Sequence, residues 1–371
     1  MSERKKVKLG EITSIKTGKL DSNAAVSNGA YPFFTCDPTT LSIDKWAYDT
    51  EAILLAGNNA SGNYTAKYYK GKFNAYQRTY IIETLDPQFA SVRFLAYAMN
   101  QQLQLLKVMS SGSTTKFLTM KMLTQLSIIF PSIETQHRIA TILSRYDSLI
   151  ENYQKQIKLL EEAAQRLYKE WFIDFHFPGR ETTKIVDGVP EGWEKKKVGD
   201  FVTFYDKQRK PLSSMQRMNM EKIYPYYGAA SLMDYVDNYL FDGIYLLFGE
   251  DGTVITPDNH PVLQYVWGKF WVNNHAHVLR GKDRISTEFL YVLFRNITIS
   301  DVVTGVAQPK ISQGRLSEKM AMLPPITLIE KWSSIAGTYF FQLRNLSSQI
   351  HLLTEARDRL LPKLMSGEIA V

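Results

Sequence analysis

The chain repeats itself once, and no other feature constrains its fold so tightly. Laid over itself at a period of about 190 residues, the second half meets the first in landmarks that keep their order. Leu9-Gly10-Glu11 falls on Val198-Gly199-Asp200, Ile53-Leu54-Leu55-Ala56-Gly57 on Tyr245-Leu246-Leu247-Phe248-Gly249, and Gly71-Lys72-Phe73-Asn74 on Gly268-Lys269-Phe270-Trp271. Ser111-Gly112 with Lys116-Phe117-Leu118 then meets Thr304-Gly305 with Lys310-Ile311-Ser312, and Phe130-Pro131-Ser132-Ile133 meets Pro324-Pro325-Ile326-Thr327. One such match is chance, whereas a series in register is duplication. At 371 residues the chain also exceeds the roughly 100 to 200 residues of an ordinary domain, so two domains are expected on size alone.

Each half opens with short apolar and aromatic runs, Tyr80 to Ile82 and Tyr265 to Val272 among them, broken by Gly, Asn and Asp. That pattern predicts a mixed, β-rich unit. The end of each half changes period. Ile139, Leu143, Tyr146, Ile150, Tyr153, Ile157, Leu160, Ala164, Leu167 and Trp171 alternate steps of four and three. Trp332, Ala336, Tyr339, Leu343, Leu346, Ile350, Leu353, Arg357, Leu360 and Leu364 repeat the spacing, with Arg357 the one charged member. The commoner fate of an amphipathic helix is to pack its stripe on its own domain. A heptad held for more than four repeats favours a coiled-coil seam instead. Two copies in one chain suggest mutual pairing, antiparallel if the halves obey a pseudo-two-fold axis. Pro362 is expected to end or kink the second helix.

The fold class is therefore α+β, two tandem β-rich domains each followed by a long helix. The expected boundaries are 1–134, a helix at 135–175, a linker at 176–194, a second domain at 195–328, and a second helix with a tail at 329–371. The linker rests on turn residues without periodicity, from Phe177-Pro178-Gly179 to Asp187-Gly188-Val189-Pro190.

The formal net charge of +7 favours a polyanionic partner. Cys36 is the single cysteine, so no intrachain disulfide is available, and the basic start Arg4-Lys5-Lys6 is not followed by the apolar stretch of a signal peptide. No apolar run approaches the roughly 18 to 20 residues of a membrane span. A soluble protein of the reducing cytoplasm is the expectation.

Catalytic signatures are missing. There is no Gly-x4-Gly-Lys loop to cradle a nucleotide phosphate. Phe248-Gly249-Glu250-Asp251-Gly252 has the wrong spacing for a dinucleotide loop and reads as a hairpin turn. The Asn/Asp-Pro-Pro-aromatic tetrapeptide that lines a flipped base in amino-methyltransferases is absent too. His275 and His277 have a spacing that points both side chains one way on a strand, as metal ligands sometimes are, but no third ligand type stands near them in sequence. Contact with DNA and simple packing on a sheet are their other readings. Cys36 reads as a small core residue. The chain is expected to perform no chemistry and to hold neither metal nor cofactor.

Three segments carry a resemblance to a known family. They are Leu167-Tyr168-Lys169-Glu170-Trp171-Phe172-Ile173-Asp174-Phe175, the later Pro190-Glu191-Gly192-Trp193-Glu194, and the ending Arg357-Asp358-Arg359-Leu360-Leu361-Pro362-Lys363-Leu364-Met365-Ser366-Gly367-Glu368-Ile369. With them, essentially the whole chain resembles the specificity subunit of Type I restriction-modification systems. Lys72 to Arg78 and Phe270 to His277 look like segments of that family's first and second target-recognition domains. The resemblance implies a bipartite reader of double-stranded DNA, each domain taking one half of an interrupted target. It implies that the paired helices act as spacer and dock two modification subunits. S-adenosylmethionine would reside on those subunits, and ATP and Mg2+ on restriction subunits.

About 33 helical residues at roughly 1.5 Å each give about 50 Å, more than one DNA turn. Two domains that differ in sequence imply an asymmetric target. Lys and Arg suit phosphates, while amide, guanidinium and imidazole groups suit base edges. The candidates are Lys16, Lys19, Asn58, Asn59, Gln77, Arg78 and Lys116 in the first domain. In the second they are Lys207, Arg209, Lys210, Asp251, Asn273, Asn274, His275, Gln308 and Lys310. The competing functions are a coiled-coil scaffold that never touches DNA, and a specificity subunit serving a fused methylase-nuclease.

Overall fold

A computed structural model describes residues 4–59, 64–103, 116–305 and 308–371. The side chains of Asn59 and Lys116, and the repeat landmark Ser111-Gly112, lie outside the described residues. The chain forms two compact units, Met1–Asn152 with Ile350–Val371, and Tyr153–Gln349. Two long helices, Ile133–Phe172 and Ile326–Ser366, contribute to both. The first starts earlier than 135 because the Ser132 hydroxyl accepts from the Thr135 amide and caps it. It stops before 175, where Phe175 adopts a left-handed backbone at φ +60.

The strands of the first unit are β1 (Lys5–Lys8), β2 (Thr13–Thr17), β3 (Tyr31–Phe34), β4 (Leu41–Ile43), β5 (Tyr48–Ala56), β6 (Asn58–Asn59), β7 (Ala66–Ala75), β8 (Thr79–Thr84), β9 (Lys116–Phe117) and β10 (Ser127–Phe130). One sheet runs β2-β8-β5-β7-β3-β4, antiparallel except for the β3–β7 pair. β5 shows why its sequence is a continuous apolar run. Ile53 and Leu55 bury with Ile82 and with Phe94 and Leu95 of the Val92–Gln101 helix, whereas Ala52 and Leu54 bury with Phe34, Phe73 and Ile81 on the other face. A strand covered on both sides has no polar face to show.

In the second unit the strands are β11 (Ile185–Val186), β12 (Val189–Pro190), β13 (Glu194–Lys197), β14 (Val202–Phe204), β15 (Tyr224–Tyr227), β16 (Leu232–Val236), β17 (Phe241–Asp242), β18 (Tyr245–Gly249), β19 (Leu263–Val266), β20 (Lys269–Val272), β21 (Ala276–Gly281) and β22 (Met320–Leu323). The sheet order repeats, but in two pieces, β14-β21-β18-β19 and β17-β20-β15-β16. β19 and β20 together stand where β7 does, and the break falls at Trp267-Gly268, where Gly268 has φ +75. The β1–β10 pair likewise returns as β13–β22.

The ladders fix the repeat residue by residue. Tyr48 pairs with Phe73 as Phe241 does with Phe270, Ile53 with Ile82 as Leu246 with Leu279, and Leu55 with Tyr80 as Phe248 with His277. The Gly57 amide donates to the Arg78 carbonyl at 2.8 Å, and the Glu250 amide donates to His275 at the same distance. Ile53 therefore matches Leu246, not Tyr245, and Gly57 matches Glu250. Leu118 donates to Gly57 as Ile311 does to Glu250, so Leu118 matches Ile311, not Ser312. The sequence match is one residue out in these strands because a run buried on both faces lacks the alternation that would expose a slip. A one-residue shift exchanges the two faces, and only the ladder reveals it.

Every seam residue of the long helices is buried or half-buried. Near their ends the stripes enter the globular cores. Ile139, Leu143 and Leu364 share the first unit's core with Phe94 and Phe130, while Ala164, Tyr168, Trp332 and Phe340 share the second unit's with Phe289 and Leu290. Each stripe thus packs on a domain and, in the same cluster, on the other helix. Arg357, the charged seam residue, pairs with Asp147 at 2.7 Å. Pro362 does not end its helix, which continues to Ser366. The proline removes one N–H bond close to the helix end, while Leu360, Leu361, Leu364 and Met365 around it pack into the core. The segment expected as a bare linker holds a hairpin between β11 and β12, turned by Asp187 and Gly188 at φ +51 and +80. Phe175 and Phe177 meet Trp193 at ring separations of 5.9 and 4.8 Å. Among the described residues no helix is long and apolar enough to cross a membrane.

Candidate nucleic-acid interface

In the first unit, the end of β5, the β7–β8 turn and the β6–β9 pair meet at one end of the sheet. The ladder sets Asn58 against Phe117 and Asn59 against Lys116. The Gln77 amide donates to the Leu20 carbonyl at 2.8 Å, which holds the Lys19 segment to the β7–β8 turn. Gly18 permits that approach, since a Cβ there would lie 2.1 Å from the Ala75 carbonyl oxygen. Gln77 donates to Asp21, and Arg78 lies over the Phe117 ring, 6.0 Å from its centroid. Thr17, Gly57, Asn58, Gln77, Arg78 and Phe117 help line a concave surface of about 290 Å³. Lys19, Asn58, Gln77 and Arg78 are thereby brought together, with Asn59 and Lys116 placed there by register.

Lys16 stands apart from these residues, and Cys36 departs from its sequence reading. Lys16 does not join the cluster; its ammonium pairs with Glu83 at 2.6 Å and lies 5.3 Å from the Tyr48 ring. Burial works to raise the Glu83 pKa, but hydrogen bonds from Lys16 and Thr50 and the Lys16 charge together hold it below the usual carboxylate range. Cys36 is half-buried rather than a core residue, and its thiol donates to the Asn58 side-chain oxygen and approaches the Arg78 carbonyl at 3.6 Å.

The matching end of the second unit is assembled around an ionic hub. Arg209 Nη1 donates to Glu250 Oε2 and to the Ala276 carbonyl, each at 2.6 Å, and its Nε donates to the Asp206 carbonyl at 3.1 Å. Asp206 Oδ2 lies 2.6 Å from His277 Nδ1, and its Oδ1 accepts from the Val278 amide at 2.9 Å. His277 Nε2 is 2.8 Å from the Ile311 carbonyl. Tyr80, which occupies the same ladder position, donates its hydroxyl to the Leu118 carbonyl at 2.7 Å. Two unlike side chains thus tie the same two strands, and by that match His277 donates from Nε2.

The hub ties together the segments carrying Lys207, Lys210, Asp251, Asn274, His275, Gln308 and Lys310. Arg209 and Glu250 side chains are only 12% and 15% exposed, so Arg209 supports the loops from inside. Asn273 is also internal, its side-chain oxygen accepting from the His275 amide at 2.8 Å. Lys207, Lys210, Asn274, His275, Gln308 and Lys310 are exposed. Asp251 is half-buried, accepting from Gln308 at 2.9 Å and lying 3.4 Å from His275 Nδ1.

The two histidines do not share a surface. His275 sits in the turn before β21 and is exposed, whereas His277 is fully buried on the strand. Ligand atoms of Asp206, Glu250 and His277 lie within 4.8 Å of one another, a spacing a metal could use, but both carboxylates already face the Arg209 guanidinium. Asp206 and Glu250 escape a sequence reading because nothing in spacing or period links Arg209 to a carboxylate some forty positions away; only the Asp206–Arg209 step of three was visible. The hairpin turn expected at Phe248–Gly252 is a long connection, residues 250–262, between the antiparallel β18 and β19, and its Asp251 bridges to Lys310.

A family model, the Type I restriction modification DNA specificity domain, matches residues 1–162 and again residues 190–331. The chain is 28% identical to the Type I restriction enzyme EcoDI specificity subunit of Escherichia coli, across 98% of this chain and 88% of that one. It is 30% identical to the MjaIX specificity subunit of Methanocaldococcus jannaschii, across 72% of this chain and 66% of the relative. Among solved structures, the Type-I restriction-modification system S subunit from M. genitalium superposes with a TM-score of 0.61 over 98% of this chain and 96% of that one. At 19% identity the likeness is one of fold.

Proposed function

This chain belongs to the Type I restriction-modification DNA specificity family, and from that premise we propose that each of its two sheet domains reads one half of an interrupted DNA target. The observation that carries this reading is one topology built twice with different side chains at matched tip positions. Asn58 stands where Asp251 does, Gln77 where Asn274 does, and Arg78 where His275 does. Identical tips under two-fold symmetry would read a palindrome, whereas these read unlike half-sites. Exposed Lys19, Lys207, Lys210 and Lys310 serve phosphates, while Asn58, Gln77, Arg78, Asp251, Asn274, His275 and Gln308 serve base edges.

In this proposal the long helices pair antiparallel about a pseudo-two-fold axis, hold the readers apart and dock two modification subunits. The first helix has 40 residues, which at about 1.5 Å each give about 60 Å, against about 34 to 36 Å for a DNA turn. Base methylation, with S-adenosylmethionine, belongs to the modification subunits, and ATP- and Mg2+-dependent cleavage to restriction subunits; this chain supplies the address and works in the cytoplasm.

The test is to map methylated bases genome-wide in a host without endogenous adenine methylation, expressing this chain with its neighbouring methylase gene, against a methylase-only control. An interrupted asymmetric motif that needs this chain is the expected result. An assembled complex that leaves no motif refutes the reading and favours a coiled-coil scaffold. A motif accompanied by cleavage from the same partner polypeptide identifies a fused methylase-nuclease.

A further inference from the structure

We propose that the Asp251 carboxylate selects a base that presents an exocyclic amine in the major groove, cytosine or adenine, within the half-site taken by the second unit; this rests on the DNA reading above. Asp251 stands at the tip where β18 ends, bridged through its backbone to Lys310. Among the described residues its two oxygens have one partner each, Oδ1 receiving Gln308 Nε2 at 2.9 Å and Oδ2 facing His275 Nδ1 at 3.4 Å. An ionised carboxylate offers about four lone-pair sites, so acceptor capacity remains on an oxygen pair whose orientation is already fixed. The side chain is 20% exposed, enough to touch a ligand at the rim.

The surroundings decide what that ligand is. Lys207, Lys210 and Lys310 on neighbouring segments are exposed cations suited to phosphates, and a carboxylate among them is repelled by the backbone it would approach. A base edge remains. In the major groove, cytosine N4 and adenine N6 donate, whereas guanine O6 and N7 and thymine O4 only accept. An acceptor-only side chain meets the first pair and opposes the second. The matched position in the first unit is Asn58, an amide that both donates and accepts, with Arg78, a donor only, where the second unit has His275. The same point of the fold therefore carries two different hydrogen-bonding vocabularies.

The experiment uses the wild-type chain assembled with its modification subunits and a target duplex. Each adenine is replaced singly by purine and each cytosine by pyrimidin-2-one, which removes only the exocyclic amine. One replacement, confined to one half-site, is expected to weaken binding about tenfold. With Asp251→Ala that replacement should cost about twofold or less, while discrimination at the other half-site is unchanged. If no replacement weakens wild-type binding beyond about twofold, or if the sensitive replacement costs Asp251→Ala just as much, the assignment is overturned. Where Asp251→Ala fails to assemble, Asp251→Ser, which also lacks the carboxylate, makes the same comparison. A complex with no sequence preference at all overturns the DNA reading itself, a separate outcome.

Discussion

Replacing Arg209 by Leu should destabilise the second unit by about 3 kcal/mol, because Glu250 loses its guanidinium partner at 2.6 Å and keeps only His277 Nδ1 at 3.5 Å. Removing one partner of a buried ion pair costs about 3 to 5 kcal/mol, and the lower end applies since the two side chains keep 12% and 15% exposure. The change also leaves the Ala276 and Asp206 carbonyls without their guanidinium donors. For a unit spanning Tyr153–Gln349, about 2 to 4 °C of melting temperature per kcal/mol gives a fall of about 6 to 12 °C. Every tryptophan except Trp46 lies in that unit, so tryptophan fluorescence follows it selectively. The double variant Arg209→Leu with Glu250→Gln removes the stranded charge and should recover about half of the loss. A fall below about 2 °C in the single variant, or a double variant no more stable than the single, refutes the claim that an ion pair holds these loops.

Three further outcomes are expected. Arg78→Ala and Asn274→Ala should each cost about 1 to 3 kcal/mol on the cognate half-site if they read bases, and an equal loss on random DNA would assign them to phosphate. Leu346 is 4% exposed on the helix seam, so Leu346→Asp should lower stability and impair capture of the modification subunits, measured by melting and co-purification; unchanged values for both would sink the seam. The folded pKa of Glu83 is depressed, so its contribution to stability is present above the unfolded value and lost as pH falls through the folded one. The difference in melting temperature between wild type and Glu83→Gln should therefore shrink between pH 5 and the acid limit of folding, and a constant difference over that range would contradict the assignment.

What could be read from the sequence was whatever repeats, at the heptad step or across the two halves. The heptad steps from Ile139 to Trp171 gave the helix and its buried stripe, since burial follows period. They did not reveal that the stripe's ends join the globular cores, because a stripe does not name its partner. The duplicated landmarks gave the two units, yet Ile53 was matched one residue out for want of alternation in a strand buried on both faces. Asp187-Gly188 is a hairpin signal, but the turn residues around it suit a linker equally well. At the candidate interface, Arg78 and His275 are nominated from side-chain chemistry alone, and both are exposed. Their supports are not legible in that way, for Glu250, Asp206 and Arg209 meet only through tertiary folding.

On the proposed function, the duplication also explains how one fold can carry two readers. The bonds that close the tip onto the sheet recur with different residues. The Gly57 and Glu250 amides donate to matched carbonyls, and Tyr80 and His277 both donate to the carbonyl of the residue that follows the tip strand. Backbone groups set that geometry, so side chains at the tips can change without disturbing the ladder. Where the change introduces charge, it needs a neutralising partner within the unit. Glu250 in place of Gly57 is such a case, and Arg209 answers it at 2.6 Å. A tip can diverge freely among exposed residues such as Gln77 and Asn274, but a largely covered carboxylate needs a cation beside it. On the proposed function, that dependence makes Arg209, although internal, a positioning residue for the tip of the second unit.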